Sequence, residues 1–118
     1  MNQDITTRQR DVYTRALAQP AFLTSEDRIG IGRDFDPTQL PINGLRHPQH
    51  GNMCGWYIWS GKELSKDADY FSVLCYEHLV SKGWGLVDYL ALPAGWRFLS
   101  ATDYEDIWFD ETLLDDTL

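Results

Sequence analysis

Cysteines and long apolar runs are scarce in this chain, and both absences limit what the protein can be. Cys54 and Cys75 are the only cysteines in 118 residues, too few for the disulfide framework that stabilises small secreted domains. No apolar run approaches the roughly 20 residues that span a bilayer. Residues 1–8 lack the apolar segment and cleavage site of a secretory signal. We therefore expect a cytoplasmic protein with reduced thiols and no membrane contact.

Basic residues are scarce in the second half of the chain. Residues 1–50 carry six arginines and six acids, whereas residues 51–118 carry four bases and twelve acids, which accounts for the net charge of −8. From Asp103 onward there are seven acids and no base. Such a field repels nucleic acid and accelerates association with a basic partner. The same charge would also serve simply to keep a protein soluble.

Motifs typical of catalytic or phosphate-binding sites are missing as well. Gly30-x-Gly32 lacks the lysine of a phosphate-binding loop. Cys75 and His78 are three residues apart, but no orienting third residue or glycine-rich elbow accompanies them, as a cysteine nucleophile requires. The acids near the end of the chain could form a hydrolase pair or a cation site, but such a run is more typical of a solvated face. We predict that the protein is not an enzyme and binds no cofactor.

One pattern resembles a metal site. It runs His47-x₂-His50-x₃-Cys54, followed by Cys75-x₂-His78. Zinc accepts cysteine sulfur and histidine nitrogen, so four of these side chains could hold it. The spacing is irregular, however, and the last two residues fall on an expected apolar stripe. A buried thiol and a hydrogen-bonded histidine are therefore the favoured interpretation, and we predict no bound metal.

What the chain does have is apolar and aromatic surface, at 43% and 14% of its residues. This composition predicts one globular domain over residues 1–118. The spacing of apolar residues predicts an α+β fold, in which a small antiparallel sheet with a C-terminal β-hairpin packs against two or three helices. The expected elements are a helix over 4–19 ended by Pro20, a strand over 29–32, a long loop over 34–54, a strand over 56–60, helical segments over 70–82 and 84–90, and a hairpin over 96–110.

The expected core draws on the helix over 70–82 and on the hairpin. Phe71, Leu74, Cys75, His78 and Leu79 are spaced as one face of an amphipathic helix. Alternation along the hairpin strands places their apolar residues on the same side of the sheet. The residues expected to be buried together are Phe71, Leu74, Cys75, Leu79, Trp96, Phe98, Ile107 and Phe109.

The hairpin also supplies the candidate binding residues. A four-residue turn at 102–105 would pair Arg97 with Asp110 and Leu99 with Trp108. Arg97 would then tie the two strands together, although direct contact with a ligand is the alternative. Trp108 faces away from the expected core, so it is either exposed among carboxylates or packed beneath the first helix. The candidate partner-binding residues are Trp108, Asp103, Glu105, Asp106 and Asp110.

The segment Gly95-Trp96-Arg97-Phe98-Leu99-Ser100 resembles the Gly-Trp-Arg-Phe signature of a family of bacterial immunity proteins from polymorphic toxin systems. The resemblance implies a small protein that neutralises a toxin encoded beside it. An acidic face and exposed aromatic anchors would suit an inhibitor of a basic, cytosol-acting toxin. The predicted function is thus non-enzymatic protein binding of the immunity type. Two alternatives are a structural or regulatory protein-interaction module and a small-ligand binder that uses the 34–54 loop.

Overall fold

The computed structural model describes residues 4–61, 63–67 and 69–115, and a six-stranded sheet forms its centre. The elements, in chain order, are α1 (Ile5–Arg15), β1 (Arg28–Gly32), β2 (Ile42–Arg46), β3 (Met53–Ser60), β4 (Phe71–Cys75), α2 (Tyr76–Ser81), a first 3₁₀ helix (Gly85–Tyr89), β5 (Trp96–Ala101), β6 (Tyr104–Phe109) and a second 3₁₀ helix (Glu111–Leu114). The strands lie in the order β4-β1-β3-β2-β5-β6. The prediction of an α+β fold with a C-terminal hairpin is confirmed.

The sheet is mixed, so the prediction of an antiparallel sheet is wrong for one pair of strands. β1 runs parallel to β3, whereas every other neighbouring pair is antiparallel. The reason is a strand that the pattern did not reveal. Because β2 reverses the chain direction between β1 and β3, β3 re-enters the sheet beside β1 in the same direction as β1.

That hidden strand, β2, lies inside the segment predicted as a long loop over 34–54. All five of its residues are buried between β3 and β5. Gly44 resembles a turn residue in the sequence, but here it allows close packing, because a Cβ at this position would overlap the ring of Phe98. Pro41 and Pro48 lie outside the strand, where a missing N–H breaks no ladder hydrogen bond. The loop prediction is therefore wrong for Ile42–Arg46.

The predicted helix over 70–82 is wrong in its first half. Phe71–Cys75 forms β4, an edge strand antiparallel to β1, and helix begins only at Tyr76. Apolar residues at positions i, i+3 and i+4 fit a helix, but in this short run they also fit a strand. Gly83, with φ at +71°, follows the end of α2 as a C-terminal glycine commonly does.

One face of the sheet is covered by α1, α2 and the first 3₁₀ helix, and the main core lies there. Leu79 and Phe98 are fully buried as predicted, and Leu74, Trp96 and Ile107 pack against the same cluster. The prediction is wrong for the other three residues, Phe71, Phe109 and Cys75. Phe71 packs on the opposite face, and Phe109 is 48% exposed on the last strand of the sheet. Cys75, also expected in the core, is half-buried on the edge strand.

The first helix begins close to its predicted start, with Asp4 as its N-cap, but ends earlier than expected. Asp4 accepts a hydrogen bond from the Thr7 amide at 2.8 Å. At the other end, the amides of Leu17 and Ala18 donate to the carbonyls of Thr14 and Tyr13, which is a Schellman motif. Leu17 takes the left-handed conformation, φ +59°, that glycine usually occupies there. None of the helices in the described residues has the length and apolarity needed to cross a membrane.

A buried arginine joins the sheet to the loops around it. Arg46, at the end of β2, is only 6% exposed. Its Nε donates to the Cys54 carbonyl at 3.1 Å, and its Nη1 donates to the carbonyls of Ala21 and Leu92 at 2.9 and 2.8 Å. Its guanidinium also lies 5.9 Å from the centre of the Trp56 ring. Burial lowers the pKa of this group, and three carbonyl oxygens replace the water that it loses.

Truncation of Phe98 tests the core. Its ring stacks on Tyr89, with 4.3 Å between ring centres, and packs edge-on against Trp56. We expect Phe98→Ala to lower the free energy of unfolding by about 3–5 kcal/mol in urea titration, because it leaves a cavity. Phe109→Ala, on the same face of the hairpin but half-exposed, should cost less than about 1.5 kcal/mol. Equal effects of the two variants would contradict this assignment of the core.

Replacement of Arg46 tests the buried cation. Arg46→Met keeps much of the side-chain volume but leaves three carbonyls without their donor. We expect a loss of about 2–4 kcal/mol in the free energy of unfolding, since each orphaned buried acceptor costs about 1–3 kcal/mol and relief of the buried charge offsets part of that. Arg28→Met, at an exposed position of β1, is the matched control and should change stability by less than about 0.5 kcal/mol. If Arg46→Met were as stable as the wild type, the three hydrogen bonds of Arg46 would not contribute to the stability of the fold.

Candidate interaction surface

The sheet face opposite α1, α2 and the first 3₁₀ helix is called the open face here. Residues that are directly opposite one another on neighbouring strands share a face, and one such row crosses all six strands on this side. At its centre Gly30 leaves room for the ring of Tyr57, because a Cβ at Gly30 would overlap that ring. The row consists of Val73, Gly30, Tyr57, Leu45, Arg97 and Trp108.

The register of the hairpin that carries the end of this row differs from the prediction. Ala101 pairs with Tyr104, so the turn contains only Thr102 and Asp103. Arg97 is therefore opposite Trp108, whereas Asp110 lies beyond the end of β6. The shift is two residues, an even number, so each side chain keeps its predicted face. Trp108 lies on the side of the sheet opposite Ile107, as the alternation predicts, whereas α1 packs on the core side, where its Val12 joins the main core.

A cavity of about 190 Å³ opens on the open face, and most of its lining is apolar or aromatic. Tyr57 and Leu45 line it side by side, and the Tyr57 and Phe71 rings meet edge-to-face with 5.1 Å between their centres. Leu113 of the second 3₁₀ helix packs on Leu45 next to it. The lining residues are Leu45, His47, Tyr57, Trp59, Leu64 and Phe71.

Two buried hydrogen-bond donors on this face have no partner among the described residues. They are Nε1 of Trp59 and Nε of Arg97. Trp59 itself is only 4% exposed and lines the cavity. By contrast, the Trp56 indole on the core face donates to the Leu90 carbonyl at 3.0 Å. Most buried polar groups in folded proteins are hydrogen-bonded, so these two unpartnered donors distinguish the open face from the core face.

The end of the row forms a compact cluster of one cation, one indole and one carboxylate. The Arg97 guanidinium lies 5.2 Å from the centre of the Trp108 ring, and its Nη1 donates to Asp110 at 3.1 Å. Asp110 also accepts from the hydroxyl and the amide of Thr112. These hydrogen bonds, those of Thr112 foremost, lower the pKa of Asp110. Arg97 thus contacts Asp110 along the edge of the hairpin rather than as a cross-strand partner.

The acidic candidates divide between the two faces of the sheet. Asp106 is exposed on the open face opposite Leu99, and Asp103 is exposed in the turn. Glu105 points the other way, where its two carboxylate oxygens accept hydrogen bonds from Arg15 and from the Tyr89 hydroxyl, both at 2.6 Å. The bond from Arg15 lowers the pKa of Glu105. Burial and this carboxylate raise the pKa of Tyr89 to about 12.

The histidines and cysteines considered as zinc ligands are spread over the molecule. His47 contacts the Leu113 carbonyl through Nδ1 at 3.2 Å, and Cys54 is buried on the core face. Burial raises the pKa of the Cys54 thiol. Cys75 and His78 do meet, with 3.3 Å between Sγ and Nδ1. His50 is exposed beside the turn before β3. No group of three or more histidine, cysteine or acidic side chains within the described residues could hold a metal ion.

The fold and this surface define a small α+β protein with an open, aromatic sheet face bordered by acids. The model of the Imm33-like domain family matches residues 8–110, and the chain belongs to this family. The match extends from the first turn of α1 to the residue after β6. No curated protein and no solved structure matches the chain. The prediction of an immunity-protein family is confirmed.

Sequence reasoning missed the cavity and its residues. The sequence predicts a loop at Leu45 and the core side of a helix at Phe71, so it does not predict that these residues meet Trp59. One signal was present in the pattern Gly30-x-Gly32. Two glycines at alternate positions of a strand leave room on one face for large rings from neighbouring segments, here those of Tyr57 and Tyr70.

Glu105 gives a prediction for the pH dependence of stability. Its pKa in the folded protein lies below the ordinary value of 4.5, so its contribution to stability is present above that pH and is lost as the pH falls through the folded pKa. Glu105→Gln should therefore remove part of the stability that the wild type loses below about pH 5, measured by urea unfolding from pH 7 to pH 3. Arg15→Met removes the main cause and should flatten the same window. Parallel curves for the three proteins would contradict this account.

Proposed function

We propose that this protein is a non-enzymatic inhibitor that binds a cognate toxin in the cytoplasm and neutralises it. Membership of the Imm33-like family supports a protein partner of the toxin class. The observation that carries the proposal is the row of side chains across the open face. Tyrosine, tryptophan and arginine are the residue types enriched at the centres of protein interfaces, and the row contains one of each.

Charge supports a basic toxin domain as the partner. The chain has a net charge of −8, and its second half carries all of that excess. Asp103, Asp106 and Glu111 are exposed in or beside the hairpin. A field of this sign raises the association rate of a basic partner and makes that rate dependent on salt. An inhibitor that must reach its toxin before damage occurs gains from fast association.

Within the hairpin we assign Trp108 and Asp106 to direct contact with the toxin. Trp108 is half-buried beneath the Arg97 guanidinium, so a partner would complete the burial of a ring that is already held in place. Asp106 is exposed on the same face of β6 and can pair with a cation. Asp103 extends the contact at the turn. Asp110 and Glu105 are assigned mainly to positioning, because Arg97, Thr112, Arg15 and Tyr89 already occupy their oxygens.

Co-expression with the toxin domain encoded beside this chain tests the proposal. The wild type should restore growth and bind the purified toxin domain. Trp108→Ala should fold normally and weaken binding by about 2 kcal/mol or more, measured by calorimetry. Trp84→Ala is the matched control, since Trp84 lies under Lys82 at 5.3 Å on the helix-covered side, and it should bind as the wild type does. Absence of both rescue and binding by the wild type would refute the proposal.

Salt dependence tests the role of charge separately. Asp106→Asn should lower the association rate and reduce its dependence on ionic strength, because one exposed interfacial carboxylate is lost. Glu77→Gln, an exposed acid on α2 beside the opposite edge of the sheet, should change neither quantity. Stopped-flow fluorescence between about 50 and 500 mM salt measures both. Identical slopes for Asp106→Asn and the wild type would remove the acidic hairpin from the interface.

A further inference from the structure

We infer that the cavity of the open face receives one large apolar side chain of the toxin, and that Trp59 donates a hydrogen bond to a carbonyl oxygen beside that side chain. The inference rests on the proposed function and adds the chemistry of its central contact. It begins from the six residues that line the cavity: Leu45, His47, Tyr57, Trp59, Leu64 and Phe71.

The size of the cavity selects a side chain. Its volume of about 190 Å³ lies below the roughly 300–1,000 Å³ of sites for drug-sized ligands. It is close to the 150 Å³ or so of engineered apolar cavities that take up a benzene molecule. The lining is dominated by Leu45, Leu64 and the rings of Tyr57 and Phe71, which favour an aromatic or branched aliphatic occupant over a polar one.

The unpaired indole of Trp59 supplies a second, independent observation. The residue is 4% exposed, and its Nε1–H has no acceptor among the described residues. This nitrogen has almost no exposed surface, so a partner's oxygen can reach it only when the side chains that cover it move aside. A buried donor without an acceptor costs stability in the free protein, and that cost is recovered if binding brings an oxygen to it. A peptide segment can place an apolar side chain in the cavity and also offer an oxygen to the Trp59 indole, because each of its side chains lies next to a backbone carbonyl.

Charge and position identify the segment as part of a basic protein. The second 3₁₀ helix borders the cavity, since its Leu113 packs on Leu45 and Trp59 and its carbonyl contacts His47. The stretch that leads into this helix, residues 103–111, contains five acids and no base. Leu45 is also directly opposite Arg97, which is opposite Trp108, so the cavity and the proposed hairpin contact belong to one continuous surface.

Filling the cavity from its rim gives the first test, with the toxin domain encoded beside this chain as the probe. Leu64 is 43% exposed, so Leu64→Trp can place a ring over or into the cavity while the protein still folds. We expect the Kd for the toxin domain to rise at least 30-fold. Leu17→Trp, at a 94% exposed position at the end of α1, is the control and should leave the Kd within twofold.

Removal of the indole N–H gives the second test. Trp59→Phe keeps a ring in place and should raise the Kd about 5- to 20-fold, as expected for one hydrogen bond. In NMR spectra of the wild type, the signal of the Trp59 indole N–H should shift when the toxin domain binds, because the N–H gains a hydrogen-bond acceptor. The Trp56 indole N–H already donates to Leu90, so its signal should stay in place and serve as the internal control.

The possible outcomes separate the two proposals. If the wild type neither binds nor neutralises the toxin domain, the proposed function is refuted and this inference falls with it. If the wild type binds but Leu64→Trp binds equally well and the Trp59 indole signal does not move, the cavity is not the contact and only this inference is overturned. Dimerisation of the chain alone, abolished by Leu64→Trp, would assign the cavity to a second copy and also overturn it.

Discussion

The buried guanidinium of Arg46 is the interaction on which the arrangement of the molecule depends. It lies at the end of β2 and donates to carbonyls from three other segments, one in β3, one before β1 and one before β5. A cation taken out of water needs full replacement of its hydrogen bonds, so these segments cannot separate without a large cost. Arg46 therefore fixes the loops at one end of the sheet and holds β2 in its interior position.

The two faces of the sheet differ in how their buried polar groups are hydrogen-bonded. On the core side the Trp56 indole, the Gln9 amide and the Arg46 guanidinium all reach carbonyl or hydroxyl oxygens. The two buried donors that lack a partner among the described residues, in Trp59 and Arg97, are both on the open face. Folding alone has thus completed one side of the sheet, and the other side retains capacity for a partner.

How far the sequence predicts this fold depends on how local the signal is. β3 and the two hairpin strands are rich in aromatic and β-branched residues, which predicts strands, and period-two alternation gives the correct faces of the hairpin residues. β2 and β4 were missed because their character comes from their neighbours. Gly44 suits an interior strand only because Phe98 lies over it, and the Phe71–Cys75 segment becomes a strand by pairing with the edge of β1.

The candidate site also combines features that the local sequence predicts with features that depend on distant segments. Trp108 could be placed on its face from sequence, since that inference needs only the alternation within one hairpin. The residue opposite Trp108 could not be predicted, because the length of the turn sets the register. The sequence at 102–105 is compatible with a two-residue turn at Thr102-Asp103 and equally with a longer turn. The cavity needs four separate segments to meet, so no local pattern encodes it.

Two glycines make room for large aromatic rings, one on each face of the sheet. Gly44 admits the ring of Phe98 on the core face, while Gly30 admits the ring of Tyr57 on the open face. Each absent side chain lets a large ring from another part of the chain lie close against the sheet. On the core side the result is a packed interior, and on the open side the Tyr57 ring lines a cavity beside Leu45. The same device therefore contributes to stability on one face and, in the function we propose, to recognition on the other.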